Sequence, residues 1–145
     1  MNKAKVLIVE DEFVIAKEIQ MTLAHSGYEV TGIANSAQKT FQNIETNRPD
    51  VILMDIMIQG DLDGIETARQ INKQYHIPII YLTSYANPSV LERAKLTNPY
   101  GYLVKPFKET DLYTTIEITL YNAITPQASK VLEEPVPQNK SSFTS

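Results

Sequence analysis

The chain has 145 residues, a formal net charge of −4 at pH 7 and no cysteine, so disulfides, cysteine-based zinc sites and thiol catalysis are excluded. This length suits one domain with one core, and the absence of a Lys/Arg block argues against direct nucleic-acid binding by this segment. No apolar run reaches the roughly 20 residues of a membrane helix and no signal peptide is recognisable, so a cytoplasmic location without membrane contact is expected.

Five short apolar runs alternate with segments of helical spacing. The runs cover residues 6–9, 28–33, 51–54, 79–82 and 102–104. Three of them are continuously apolar, which is typical of strands covered by helices on both faces. The run at 28–33 mixes polar and apolar residues, as expected of an edge strand.

The segments between these runs carry apolar stripes at helical spacing. The stripes are Ile15, Ile19 and Leu23; Ala37, Phe41 and Ile44; Ile65 and Ala68; and Leu112, Ile116 and Leu120. Ser36 is a predicted N-cap, Asn87-Pro88 is typical of a helix start, and Gly27 closes the first helix. Five β/α units with short links predict an α/β fold, a parallel sheet with right-handed crossovers.

The periodic pattern ends after residue 124. Residues 125–145 contain Pro126, Pro135 and Pro137 among Ser, Gln, Asn and Lys, with few large apolar side chains. The sequence therefore predicts one domain at 1–124, followed by a disordered tail or linker at 125–145.

Polar residues follow the predicted strands where parallel α/β sheets place their sites, beyond the carboxyl ends. These residues are Glu10, Asp11, Asp55, Thr83 and Lys105. Carboxylates packed together repel one another, so a cation is expected among them, and ligands made only of oxygen favour a hard ion such as Mg²⁺. A carboxylate nucleophile, a metal, a lysine and a hydroxyl together indicate phosphoryl transfer.

Five strings carry a resemblance to a known family. They are VLIVEDE at 6–12, VILMDIM at 51–57, DGIE at 63–66, PIIYLT at 78–83 and GYLVKPF at 101–107. In this order and spacing, from about residue 5 to 124, the chain resembles the receiver domains of two-component response regulators. The resemblance implies a flavodoxin-like, doubly wound sheet of five parallel strands in the order 2-1-3-4-5, with helices on both faces.

The resemblance also implies a metal site and a phosphoacceptor. Asp55 corresponds to the phosphoacceptor, and Asp11 and Asp55 to carboxylate ligands of Mg²⁺ (or Mn²⁺), together with the backbone carbonyl of Met57. Glu10 would act through a water molecule or help to anchor the ion. Its pairing with Asp11, in place of two aspartates, is a known variation that lengthens one arm of the site.

Further roles follow from the same resemblance. Lys105 would pair with the phosphoryl oxygens, Thr83 would donate a hydrogen bond to the phosphoryl group, and Tyr102 would turn inward when Thr83 is recruited. The peptide bond between Lys105 and Pro106 is expected to be cis. One departure is the loop at 58–63, which lacks the usual proline and is one residue longer, with Gly60 at a predicted turn.

The implied function is a phosphorelay switch and not a classical enzyme. A sensor histidine kinase or a phosphotransfer protein would phosphorylate Asp55, and the fourth helix, fifth strand and fifth helix would then engage a downstream protein, an output domain or a second copy in a homodimer. The domain would catalyse only its own phosphorylation and a slow dephosphorylation, because Met57 and Tyr85 flank the path of the attacking water and the Met57 thioether is a weak acceptor.

Alternatives remain at the level of sequence. Taken singly, Asp55 reads as a loop residue at a strand end, Lys105-Pro106 as turn chemistry and Tyr102 as sheet packing. An aspartate-nucleophile phosphatase would need a second aspartate two residues after Asp11, where Phe13 stands. A degenerate receiver acting only as a binding module, a stand-alone regulator and a fragment of a longer regulator are the other readings.

Overall fold

A computed structural model describes residues 4–58, 63–84 and 88–124 of the chain, in which five strands alternate with five helices. The strands are β1 (Lys5–Val9), β2 (Glu29–Ala34), β3 (Val51–Asp55), β4 (Ile79–Thr83) and β5 (Gly101–Val104). The helices are α1 (Phe13–His25), α2 (Ala37–Thr46), α3 (Gly64–Gln74), α4 (Pro88–Lys95) and α5 (Glu109–Ile124). The alternation predicted from the sequence is confirmed, with strand boundaries that differ by one residue.

The five strands form one parallel sheet in the order β2-β1-β3-β4-β5, as the family resemblance implied. β2, which has the mixed sequence, lies at one edge, and β5 lies at the other. β1 and β3 are neighbours, with Val9 opposite Met54 in the register. The residues that follow these two strands are therefore brought side by side.

Helices cover both faces of the sheet. Successive side chains of a strand point to these two faces in turn, so each strand contributes to two apolar layers. On one face, Ile8 and Leu53 pack with apolar residues of α1 and α5. On the other face, Leu7 and Met54 pack with residues of α2, α3 and α4. All five residues of β3 are buried, which accounts for its uninterrupted apolar sequence.

Local signals set the ends of several helices. Ser36 caps α2, its side chain accepting a hydrogen bond from the Lys39 amide at 3.2 Å, as predicted. Asp63 caps α3 in the same way, its side chain accepting a hydrogen bond from the Glu66 amide at 2.8 Å. Gly27 follows α1 with a φ of 96°, a conformation that glycine adopts without steric cost. Within the described part of the chain, no helix is both long and apolar enough to cross a membrane.

Several sequence predictions fall on residues that the structure does not describe. They concern the Asn87 cap, the turn at Gly60, the side chain of Tyr85 and the segment 125–145.

Candidate functional site

Three carboxylates meet at the carboxyl ends of β1 and β3. Glu10, Asp11 and Asp55 each offer an oxygen, and these oxygens lie within 4.8 Å of one another. Glu10 is 1% exposed and Asp55 is 6% exposed, whereas Asp11 is partly exposed. The cluster arises because β1 and β3 are adjacent parallel strands. Their buried apolar residues lead directly into these carboxylates at the same end of the sheet. The expectation that these residues converge is confirmed.

Lys105 brings a positive charge to this cluster from the far edge of the sheet. Its Nζ lies 2.7 Å from Glu10 Oε1 and 3.4 Å from Asp55 Oδ2. Its backbone N–H donates to the Thr83 carbonyl at 2.8 Å, which holds the residue after β5 against the end of β4. The peptide bond between Lys105 and Pro106 is cis, as the resemblance implied. The ammonium therefore contacts both buried carboxylates.

The electrostatics of the cluster favour a further cation. Burial raises the pKa of Glu10, and the hydrogen bond with Asp55 raises it further, while the Lys105 ammonium opposes both effects. Burial alone would lower the pKa of Lys105, but the Glu10 and Asp55 carboxylates outweigh that effect and raise it. One ammonium faces three carboxylates, so the site keeps an excess of negative charge.

Backbone contacts fix the position of Asp55. The Met57 amide donates to Asp55 Oδ1 at 3.1 Å, and the Ile56 amide donates to the Leu82 carbonyl. Gly64 at the start of α3 packs directly beneath, its amide donating to the Ile56 carbonyl at 2.7 Å. A Cβ at Gly64 would lie 2.0 Å from the Asp55 carbonyl oxygen. Glycine is therefore required here by the close approach of α3 to β3.

An open cavity of about 480 Å³ lies over the cluster. Its lining includes Asp11, Asp55, Met57, Thr83 and Lys105. Thr83 is buried at the end of β4, and the Met57 side chain is 71% exposed at the mouth of the cavity. The sequence-predicted site residues other than Glu10 and Tyr102 thus line one cavity, and Glu10 lies beneath it in contact with Lys105.

Tyr102 lies apart from this cavity, on β5. It is 37% exposed and opposes Tyr81 in the β4–β5 register, with a distance of 6.0 Å between the two ring centroids. The structure buries Tyr81 completely. Its hydroxyl is hydrogen-bonded to Thr97, a contact that no sequence motif signals.

A second contact missed by sequence reasoning links α3 to α4. Arg93 NH2 lies 3.0 Å from Oδ2 of Asp63, the residue that caps α3. The pair joins residues 30 positions apart, between helices whose relative placement only the fold determines.

The two histidines, His25 and His76, are exposed at a helix end and in a loop, away from the carboxylate cluster.

Comparison with known proteins identifies the family. The family model "Response regulator receiver domain" matches residues 6–117. The chain is 35% identical over 116 residues to the transcriptional regulatory protein PdtaR of Mycobacterium tuberculosis, covering 80% of this chain and 56% of PdtaR. It is 31% identical to the transcriptional regulatory protein ResD of Bacillus subtilis, covering 84% of this chain and 50% of ResD. The chain thus spans about half the length of these curated relatives.

Solved structures agree with this relationship. The signal receiver domain of a modulated diguanylate cyclase from Desulfovibrio desulfuricans G20 superposes with a TM-score of 0.82 at 35% identity, covering 86% of this chain and 99% of that domain. The chemotaxis protein CheY4 of Vibrio cholerae gives a TM-score of 0.74 at 30% identity, covering 81% of this chain and 99% of CheY4. Phosphorylation on aspartate and Mg²⁺ binding at an acidic pocket are standard for this family. The chain belongs to the receiver domains of two-component response regulators.

Proposed function

We propose that Asp55 is the phosphoacceptor of this receiver domain. The observation that carries the proposal is the position of Asp55, buried beneath an open cavity with the Lys105 ammonium 3.4 Å from its Oδ2 and the Met57 amide on its Oδ1. These contacts hold the carboxylate in one orientation, and positioning is the main requirement of phosphoryl transfer. The donor would be a phosphohistidine of a sensor histidine kinase or a phosphotransfer protein.

The transfer step exchanges one bond to phosphorus for another. An Asp55 carboxylate oxygen bonds to phosphorus as the P–N bond to the donor imidazole breaks, and the electron pair of that bond stays on the nitrogen. A protonated phosphoimidazole departs as neutral imidazole, whereas a neutral one takes a proton from water as it departs. Lys105 is placed to neutralise the phosphoryl oxygens, since its ammonium already lies within reach of Asp55. Thr83 would donate its hydroxyl to the same group from the wall of the cavity.

The donor set fits a hard divalent cation. Glu10, Asp11 and Asp55 supply only carboxylate oxygens, and together they carry more negative charge than Lys105 offsets. Asp11 and Asp55, with the backbone carbonyl of Met57, would hold Mg²⁺ (or Mn²⁺), and Glu10 would support it through a water molecule. When bound, the ion neutralises charge on the incoming phosphoryl group.

The assignment of Asp55 is tested by covalent labelling. Incubation with acetyl phosphate and Mg²⁺ should add one phosphoryl group, detected by mass spectrometry, and Asp55→Asn should abolish it. Asp50→Asn is the matched control, because Asp50 is an exposed aspartate immediately before the same strand, at its amino end and away from the cavity. Persistent stoichiometric labelling of the Asp55→Asn variant would refute the assignment.

The metal is tested separately. Chelation with EDTA should stop labelling, and Mg²⁺ should raise the melting temperature because it binds the folded state alone. Asp11→Asn should weaken both effects, while Asp50→Asn should leave them intact. A Mg²⁺ response that is identical in Asp11→Asn and the parent protein would remove Asp11 from the ligand set.

The phosphorylated domain would signal through α4, β5 and α5. The phosphoryl group binds the inward arrangement of Thr83 better and shifts the population toward it, and Tyr102 follows from its exposed position on β5. The reader would be a downstream protein, an output domain or a second copy of the chain, in the cytoplasm. Backbone NMR shifts on phosphorylation should spread over 88–124; shifts confined to the residues around Asp55 would contradict this switch.

Self-dephosphorylation would be slow. Met57 stands at the mouth of the cavity and presents an apolar thioether where a polar side chain would hold the attacking water. Tyr85 is expected on the other side of the same path. Replacing Met57 by Asn and Tyr85 by Glu together should shorten the lifetime of the phosphorylated state at fixed Mg²⁺. An equal or longer lifetime would refute the role of these two positions.

Residues 1–124 would form the folded unit, with 125–145 as a tail or linker. α5, the last element that the structure describes, ends at Ile124, and the three prolines beyond it do not suit a continued helix. Deleting 125–145 should leave the melting temperature nearly unchanged. A large drop would show that the segment docks on the domain.

A further inference from the structure

Tyr81 stands beneath α4, between the candidate phosphorylation site and the proposed output face. Among the residues that the structure describes, it is the largest fully buried side chain, with no exposed surface. Its hydroxyl lies 2.7 Å from Thr97 Oγ1, and both residues are buried. A buried tyrosine hydroxyl requires such a partner, so this hydrogen bond fixes Thr97 to the centre of β4.

Thr97 passes this constraint on to the end of α4. Its Oγ1 donates to the Ala94 carbonyl at 2.7 Å, and its amide donates to the same carbonyl at 3.0 Å. Its own carbonyl accepts a hydrogen bond from Asn72 Nδ2 on α3 at 2.8 Å. Three elements, β4, α3 and the last turn of α4, are therefore joined at one buried residue, and such networks hold their members in a single arrangement.

A partly exposed ion pair also reaches the last turn of the helix. Arg93, in the last turn of α4, lies 3.0 Å from Asp63 at the start of α3. The other end of α4 faces the candidate site, since Val90 lines the cavity that contains Asp55. The two ends of α4 thus have different surroundings: buried hydrogen bonds to β4 and α3 at one end, and the phosphoryl-accepting cavity at the other.

The ring of Tyr81 contacts the proposed switch residue as well. Tyr102 is its partner in the β4–β5 register, and the two rings are tilted by 34° with their centroids 6.0 Å apart. Tyr81 therefore touches the residue expected to move with Thr83 and, through its hydroxyl, the end of the helix that the output face includes.

We propose that Tyr81 is a positioning residue: through Thr97 it holds the C-terminal end of α4 in place, so that phosphorylation moves α4 about a pivot at Thr97. The inference rests on the proposed function for the source of the movement. It adds that the N-terminal end of α4 moves while the C-terminal end stays in place. It also assigns the Tyr81 hydroxyl as the group that holds the C-terminal end.

The test compares Tyr81→Phe, which keeps the ring and removes the hydroxyl, with Thr97→Val, which removes the partner hydroxyl at nearly constant shape. In the parent protein, phosphorylation with acetyl phosphate and Mg²⁺ should shift the amide NMR signals of 90–91 more than those of 94–98. In both variants the signals of 94–98 should shift as much as those of 90–91. Equal shifts at both ends in the parent protein would overturn the pivot.

Tyr28→Phe is the matched control. Tyr28 is also a buried tyrosine with a hydrogen-bonded hydroxyl, which donates to the Glu117 carboxylate. Unlike Tyr81, it packs with α1 and α5 on the opposite face of the sheet. Its variant loses a comparable hydroxyl and should keep the parent pattern of shifts along α4. If Tyr28→Phe also releases 94–98, the effect is a general loosening of the fold and the proposal fails.

Hydrogen exchange on the unphosphorylated protein tests the anchor without any phosphoryl group. Loss of the Tyr81 hydroxyl should speed amide exchange at 96–98 by about fivefold, the factor that corresponds to one lost hydrogen bond. Unchanged exchange there would overturn the anchor. Absence of labelling at Asp55 in the parent protein as well as in every variant, with faster exchange at 96–98 in Tyr81→Phe, would refute the proposed function and leave the anchor supported.

Discussion

β3 and β5 belong to the same sheet and end near the same site, but they differ in exposure. Every residue of β3 is buried, with a strand on each side and helices on both faces. Within the described segments, β5 has a neighbouring strand on one side alone, and Tyr102 and Val104 are exposed along it. The buried central strand carries the carboxylate proposed as phosphoacceptor, whereas the edge strand offers exposed surface to the proposed partner. On this proposal, one sheet keeps the site of chemistry apart from the output surface.

Lys105 follows the edge strand and contacts the carboxylates at the end of the central strands, so, among variants outside Asp55 itself, its replacement should have the largest effect on labelling at Asp55. Lys105→Met leaves Glu10 and Asp55 without their ammonium and takes a charge-stabilising donor from the transition state. Labelling by acetyl phosphate should slow by about 10²–10³-fold. The exposed neighbour Lys108 supplies the control Lys108→Met, which should label at the parent rate. A loss below about tenfold in Lys105→Met would mean that the central carboxylates act independently of the edge strand.

Two glycines measure the rigidity of the centre against the edge. Gly64→Ala should destabilise the fold by about 2–3 kcal/mol in urea unfolding, because the new Cβ meets the Asp55 backbone carbonyl, which has little room to move. Gly101→Ala in β5 places its Cβ 3.2 Å from a methyl group of Thr115, which can shift slightly, and should cost less. Equal costs at the two positions would contradict the difference in rigidity.

Tyr81 on β4, between the two regions, gives a pH-dependent effect. Burial raises the pKa of Tyr81 to about 12 from 10.0, so the folded protein holds this proton more tightly than the unfolded chain. Its contribution to stability is therefore complete below pH 10 and is lost as the pH rises through 12. In this window the free energy of unfolding should fall with rising pH, and Tyr81→Phe should make that fall less steep by about 1.4 kcal/mol per pH unit, while Tyr28, whose pKa is also raised by burial and by Glu117, keeps its own share. A slope that is unchanged in the variant would assign the effect to groups other than Tyr81.

The smallest effect is expected at the edge. Val104 is 57% exposed on β5, so Val104→Thr, a change of nearly constant shape, should alter the free energy of unfolding by less than about 0.5 kcal/mol. Labelling of Asp55 should be unchanged, and binding of the downstream partner should be the property that weakens. A substantial fall in melting temperature would show that the edge strand is as tightly packed as the centre.

The sequence was sufficient for the sheet and for much of the site, and the reason is physical. Buried strands need continuous apolar residues, as at 51–54, and parallel strands gather their carboxyl ends at one edge, so Asp11, Asp55, Thr83 and Lys105 could be placed together. The cap at Ser36 depends on residues only three positions apart and could be predicted equally well.

Contacts between distant side chains could not be read in this way. The hydrogen bond between Tyr81 and Thr97, the ion pair of Arg93 with Asp63 and the contact of Lys105 with Glu10 depend on how helices and loops are set against the sheet. The sequence pattern records which face of an element is apolar, but not its rotation to within a hydrogen-bond distance. The fold alone therefore shows that the Lys105 ammonium lies closer to Glu10 than to Asp55.

The contact between Lys105 and Glu10 joins residues 95 positions apart, which has a consequence for protein synthesis. All three carboxylates leave the ribosome before the lysine that balances them, at a pace of about 5–20 residues per second. A nascent or prematurely terminated chain would hold an acidic cluster without its ammonium and without β5 to seal the sheet. Phosphorylation would become possible only once almost the whole domain has been made. Translation products that end before Lys105 would therefore not be phosphorylated and would transmit no signal.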